Sequence, residues 1–169
     1  MKINLIVAIS KNNAIGKNGK LPWKIKEDLK HFKKTTIGNN NNAILMGRKT
    51  WESIGRKPLI NRFNIIISNN KNYNIDDKNV SLFNDIHNCL HFCKNKKFDN
   101  LWIIGGSSIY YKFLNDYNEL IDKLEITYID KLYDNCDTFI NLCLDNFKPI
   151  NVKYLNNDKN IYVKTYIRK

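Results

Sequence analysis

The sequence predicts an α/β fold: a mostly parallel central sheet of eight strands, with an antiparallel edge at its C-terminal end and helices on both faces. Three observations carry this reading. The early strand-like runs are short, continuous and apolar, as befits strands covered on both faces. Strand and helix patterns alternate as far as Leu114, which calls for right-handed crossovers and parallel pairing. Beyond Leu114 the remaining runs read as strands, and the polar turn Asn156-Asn157-Asp158 joins the last two into an antiparallel edge hairpin.

In chain order, strands are expected over residues 3–9, 43–46, 63–68, 80–83, 101–104, 124–129, 150–154 and 161–167. Helices are expected over 24–36, 50–54, 85–93 and 107–114. The first run is too short and too quickly interrupted for a signal peptide or a membrane span, so it is expected to be a buried strand in a cytoplasmic protein. No repeat, long linker or composition break divides the 169 residues, and one domain over 1–169 is expected. The stretch 38–42 reads as a surface turn before the second strand.

Composition narrows the function classes. Hydrophobic residues make up 43% and charged residues 26%, which excludes a disordered chain. Cys89, Cys93, Cys136 and Cys143 form no Cys-x-x-Cys pair, and four reduced thiols suit a cytoplasm. His87 and His91 alternate with Cys89 and Cys93, but an amphipathic helix accounts for that spacing better than a metal cluster, and no metal is expected. The net charge of +12 favours anionic ligands. Its lysines are scattered, however, and Lys, Asn, Ile and Tyr are all encoded by A/T-rich codons. A nucleic-acid partner is therefore not expected.

Three segments carry chemistry. After the first strand, Ala14-Ile15-Gly16-Lys17-Asn18-Gly19-Lys20-Leu21-Pro22-Trp23 is a long connection, the kind often used as a lid or binding loop. Trp23 at its end either pins the loop to the core or offers its N–H to a ligand or fixed water. In the helix that follows, Ile25, Leu29, Phe32 and Thr36 form one stripe, and Asp28 lies on it. An acid there either complements the helix dipole or is a pocket carboxylate for a cationic or amidine-like ligand edge. The third segment is a pair of strand–glycine–helix junctions, Gly47-Arg48-Lys49-Thr50 and Gly105-Gly106-Ser107-Ser108-Ile109-Tyr110. Free N–H groups at a helix start, with Arg48 and Lys49 beside them, suit phosphate, and paired glycines let a diphosphate approach closely. Neither a Gly-x-Gly-x-x-Gly after the first strand nor a Walker phosphate loop is present.

Taken together, these segments resemble the dihydrofolate reductases over nearly the whole chain. The resemblance rests on Ala8 in the first strand, on Ile15-Gly16 through Leu21-Pro22-Trp23, and on Asp28 with Phe32. It continues through the block from Met46-Gly47-Arg48-Lys49-Thr50-Trp51 to Glu52-Ser53-Ile54-Gly55-Arg56, then Ile104-Gly105-Gly106 with Tyr110, and Thr127. It implies a dihydrofolate-reductase-like fold that moves a hydride from NADPH to dihydrofolate, supporting one-carbon metabolism. Asp28 would hold the pterin's amidine edge, braced by Thr127, with Leu21, Trp23 and Tyr110 completing the catalytic group. Ile6, Val7, Ala8, Leu29, Phe32, Ile54, Leu59 and Ile104 would wall the substrate slot, and Arg62 would grip the glutamate carboxylate. Ala8, Ile15, Gly16, Gly47, Arg48, Lys49, Thr50, Ser53, Ser68 and Asn69 would bind NADPH. So would Ile104, Gly105, Gly106, Ser107, Ser108, Ile109 and Tyr110, with a cis bond between the two glycines.

Two departures stand out: Ile60-Asn61-Arg62 replaces the family's Pro-Gly-Arg after a one-residue lengthening near Lys57, and Asp137-Thr138-Phe139-Ile140-Asn141 replaces its usual Asp-Thr-aromatic-Phe-Pro. A riboflavin-pathway type of reductase shares the fold and would act on a pyrimidine ribityl phosphate; Asp28 and the Leu-Pro-Trp loop favour the folate reading over it. A basic nucleic-acid-binding module is the rival from another class. The expected state is a monomer with no obligate protein partner and no membrane association.

Overall fold

A computed structural model describes residues 1–169. The elements are β1 (Lys2–Ser10), β2 (Ala14–Gly16), α1 (Lys26–Ile37), β3 (Asn42–Gly47), α2 (Arg48–Ser53), β4 (Phe63–Ile67), β5 (Val80–Phe83) and α3 (Ile86–Asn95). Then come β6 (Asn100–Gly105), α4 (Ser107–Asn115), β7 (Lys123–Ile129), β8 (Thr138–Phe139), β9 (Phe147–Tyr154) and β10 (Ile161–Arg168). Eight strands form one sheet in the order β5-β4-β3-β6-β1-β7-β10-β9, while β2 and β8 pair apart from it. Pairing is parallel from β5 to β7 and antiparallel across β7–β10 and β10–β9. The expected parallel sheet with an antiparallel edge hairpin is therefore present, with β9 outermost.

Both sheet faces are apolar because side chains alternate along each strand. Leu5, Val7 and Ile9 of β1 join Leu45, Leu101 and Ile103 on the face covered by α3 and α4. Ile6 joins Ile44, Met46 and Trp102 on the other face, beneath Trp51 of α2 and Phe32 of α1. Truncating any fully buried leucine here to alanine would cost about 2–5 kcal/mol. On α3, Cys89 and Cys93 are buried while His87 and His91 are exposed, so the segment is the amphipathic helix its spacing predicts.

The differences from expectation are local. α1 begins at Lys26 rather than residue 24, since Ile25 keeps an extended backbone. α2 begins directly at Arg48 after the extended Gly47, and Ile54 lies beyond its end. β9 starts at Phe147 and includes Pro149, which an edge strand tolerates. The short β2–β8 pair carries no periodic signal of its own. The segment 38–42 is only partly a surface turn. Asn42 opens β3, is buried, and donates to the Thr36 and Ile37 carbonyls at the end of α1. It also accepts from Asn100, which in turn accepts from Asn4. This buried amide ladder ties the C-terminal end of α1 to three strands.

Candidate active site

β3 and β6 are neighbours, so the two strand–glycine–helix junctions lie side by side at the carboxyl ends of parallel strands. Open α/β sheets bind ligands at this edge. Their close approach leaves little room for side chains. A Cβ on Gly106 would lie 3.0 Å from the Thr50 hydroxyl, and one on Gly105 would lie 2.8 Å from the Tyr110 ring. Gly105 also has φ +106°, and the Gly105–Gly106 peptide is cis. The Tyr110 hydroxyl donates to the Ile6 carbonyl at 2.8 Å, locking α4 to the central strand.

A cavity of about 820 Å³ opens from these junctions and runs between α1 and α2. Its lining includes Ile6, Val7, Ala8, Leu21, Asp28, Leu29, Phe32, Ile54, Leu59, Arg62, Ile104 and Thr127. Ile15, Gly16, Gly47, Arg48, Lys49, Thr50, Ser53, Ser68, Asn69, Gly106, Ser107, Ser108, Ile109 and Tyr110 line it as well. Two of the residues singled out from sequence stand back from the wall. Gly105 lies behind the Tyr110 ring. Trp23 is buried against Tyr133, with ring centres 5.2 Å apart, and its indole N–H has no protein acceptor.

Asp28 is 7% exposed, and none of the ion pairs in the molecule includes it. Burial pushes its pKa above the usual carboxylate value, and a hydrogen bond with the Thr127 side chain offsets part of that rise. Tyr110 is close enough that, after burial, the Asp28 charge also raises the pKa of its hydroxyl. Of the two sequence readings of Asp28, the pocket carboxylate is the one the geometry fits. Across the cleft, Arg62 donates to the Thr36 hydroxyl at 2.9 Å and to the Ile60 carbonyl at 3.1 Å, and its guanidinium lies against the Phe32 ring. Burial lowers its pKa from the usual guanidinium value. Despite the lengthening near Lys57, Leu59 and Arg62 both reach the cavity; the Leu59 N–H and carbonyl are fixed by the buried Asn64 amide.

At the other end, Arg48 forms two bonds to Glu52, at 2.9 and 3.0 Å, and lies against Tyr73 with Arg56. The loop after β1 is held from afar. β2 pairs with β8, and the Asp137 carboxylate accepts from the Asn18 N–H at 2.6 Å and from the Thr138 hydroxyl at 2.7 Å. The altered segment 137–141 therefore still props this loop. Gly19 and Lys20 of the long connection after β1 also line the cavity, as do Lys33, Ile67, Asn70, Lys112 and Thr138, which were not anticipated. Lys33 beside Phe32 and Lys112 on the α4 helix were readable by position, whereas Thr138 arrives only through the β2–β8 pairing.

Residues 2–168 match the family model described as dihydrofolate reductase. The chain is 35% identical over 163 residues to a dihydrofolate reductase of Staphylococcus haemolyticus, covering 96% of this chain and 91% of that one. It is 34% identical to a dihydrofolate reductase of Drosophila melanogaster over 157 residues, 89% of this chain and 85% of the relative. Among solved structures it resembles dihydrofolate reductase from Enterococcus faecalis complexed with NADP(H) and RAB-propyl. The TM-score is 0.82 at 28% identity, over 99% of this chain and 96% of that one.

Proposed function

The chain belongs to the dihydrofolate reductase family, and from that premise we propose how its cavity performs the NADPH-dependent reduction of 7,8-dihydrofolate to 5,6,7,8-tetrahydrofolate. One observation carries the assignment of roles: a buried carboxylate, Asp28, faces an apolar cleft with no cation of the protein paired to it. Such a group is costly unless a ligand supplies the missing donors. A pterin supplies them from ring N3 and the 2-amino group. Asp28 accepts both, Thr127 braces the carboxylate, and Leu29, Phe32, Ile54 and Leu59 hold the aromatic body. Arg62 takes the glutamate carboxylate in a bidentate grip.

The residues at the other end fit a dinucleotide. Gly106 leaves space that a side chain would fill, Arg48, Lys49 and Lys112 supply positive charge, and Ser68 and Asn69 offer polar contacts. Ser107 and Ser108 stand at the N-terminus of α4, where free N–H groups favour a diphosphate. When bound there, NADPH supplies the hydride that the pterin accepts at C6. Asp28 orients and polarises the pterin, and water delivers the proton to N5. The loop through Gly16 and Leu21, propped by Asp137, closes over the cleft and excludes bulk water.

Residues 1–169 act as one domain, as a cytoplasmic monomer without an obligate protein partner or a role for nucleic acid. No helix is long and apolar enough to cross a membrane. The deciding assay follows NADPH absorbance with dihydrofolate as substrate; a folded sample without turnover would refute the function. Nanomolar inhibition by methotrexate separates this activity from that of a pyrimidine reductase of the same fold.

A further inference from the structure

Asp28 and His31 lie three residues apart on α1 and so share one helix face. Glu125 and Thr127 lie two apart on β7 and share one sheet face. The two pairs meet across one seam. Asp28 and Thr127 both line the cavity, and one step behind them the His31 Nε2 lies 3.8 Å from the Glu125 carboxylate. Glu125 is 7% exposed, so a second buried carboxylate stands on the sheet immediately behind the pterin-binding one. It does not face the cavity.

The surroundings of this couple are polar and specific. Glu125 accepts from the Thr165 hydroxyl of β10 at 3.1 Å and pairs with Lys123 of β7 at 3.5 Å. Lys123 in turn lies 4.7 Å from the centre of the Trp102 ring on β6. On α1 the His31 ring nitrogen is 3.5 Å from the Thr35 hydroxyl. The charged groups around His31 are thus Glu125 and Lys123 from β7 and Lys153 from β9, with Asp28 on its own helix. Burial, then Lys153, then Lys123, hold the imidazole pKa below its usual value.

The far end of α1 is fixed by the Asn42 ladder, but its substrate-facing half has no such backbone tie to the sheet. We propose that His31 and Glu125 form a second rung of the α1–β7 seam and are positioning residues for Asp28. The rung sets the separation of helix and strand, and so the place of the Asp28 carboxylate. The idea rests on Asp28 being the pterin-binding group.

Glu125→Gln keeps the size and the acceptor for Thr165 but removes the charge; His31→Gln removes the imidazole. Both full-length variants are assayed with NADPH and dihydrofolate from pH 5 to 9, alongside melting temperatures and a Thr165→Val control. KM for dihydrofolate should rise about three- to tenfold in both, with kcat changing less, the pattern of a displaced binding group. Thr165→Val should lower the melting temperature without moving KM for dihydrofolate. KM unchanged in both Gln variants, or a KM that rises equally in Thr165→Val, would overturn the rung while leaving the reductase reading intact. If Glu125→Gln does not fold, unchanged KM in His31→Gln alone overturns it. An unsubstituted enzyme without turnover would sink both.

Discussion

Replacing Asp28 with Asn separates what this carboxylate does for catalysis from what it costs the fold. The substitution keeps the shape and turns an acceptor pair into one acceptor and one donor. Two charge-assisted hydrogen bonds to the pterin edge are lost, each worth about 1.5–3 kcal/mol. Together that is about 3–6 kcal/mol of transition-state binding, so kcat/KM should fall by roughly two to four orders of magnitude. The ligand-free protein should respond in the opposite sense. Asp28 is buried, and its pKa is raised chiefly by desolvation. A carboxyl with a raised folded-state pKa favours folding most at low pH, and that contribution is lost as pH rises through the folded pKa. Asp28→Asn should thus be more stable than the parent at pH 7, by about 1–3 kcal/mol for a desolvated group relieved. The difference should vanish near and below pH 4, the ordinary carboxylate range. Steady-state kinetics and urea denaturation at pH 4 and pH 7 check both halves. Near-normal turnover at pH 7 would refute the catalytic assignment; equal stability at both pH values would refute the burial argument.

Three further outcomes follow from the geometry. Arg62→Lys should raise KM for dihydrofolate about 10- to 100-fold with kcat little changed, because an ammonium cannot reproduce the planar two-point grip; steady-state kinetics would show it. Gly105→Ala should lose stability, read as a lower melting temperature, and weaken NADPH binding by titration, since its Cβ would lie 2.8 Å from the Tyr110 ring at φ +106°. Asp137→Ala should speed amide exchange in residues 16–20 and lower kcat, because the Asn18 N–H loses its carboxylate acceptor. Backbone and side-chain hydrogen bonds from Asn18, then Thr138, hold the Asp137 pKa below the usual range. That tie is present above the ordinary carboxylate pKa and is lost as pH falls through the depressed value, so the loop should loosen only in strong acid.

Much of the site was legible because its chemistry is local. A glycine after an apolar strand, cations at a helix start and an acid on an apolar stripe are each readable within about ten residues. The order of strands and helices followed from periodicity for the same reason, and the parallel sheet from their alternation. The rest depended on partners far apart in the chain. Asn42 looked like part of a polar surface turn, yet it closes a ladder with Asn100 and Asn4 beneath the end of α1. Thr138 reaches the cavity only through the β2–β8 pairing. His31 meets Glu125 across 94 positions of sequence.

By itself, then, the amino-acid order determined which main strands and helices form, which faces are apolar, and which segments carry the charged and glycine-rich chemistry of the candidate site. Periodicity and residue type are properties of short segments and survive without the fold. Only the tertiary structure decided which polar groups are buried, what each one meets, and therefore that Asp28 faces the cleft without a protein cation while Glu125 stands behind it with Lys123 and His31. Burial and charge pairing depend on distances between strands and helices remote in sequence, and no local pattern encodes them.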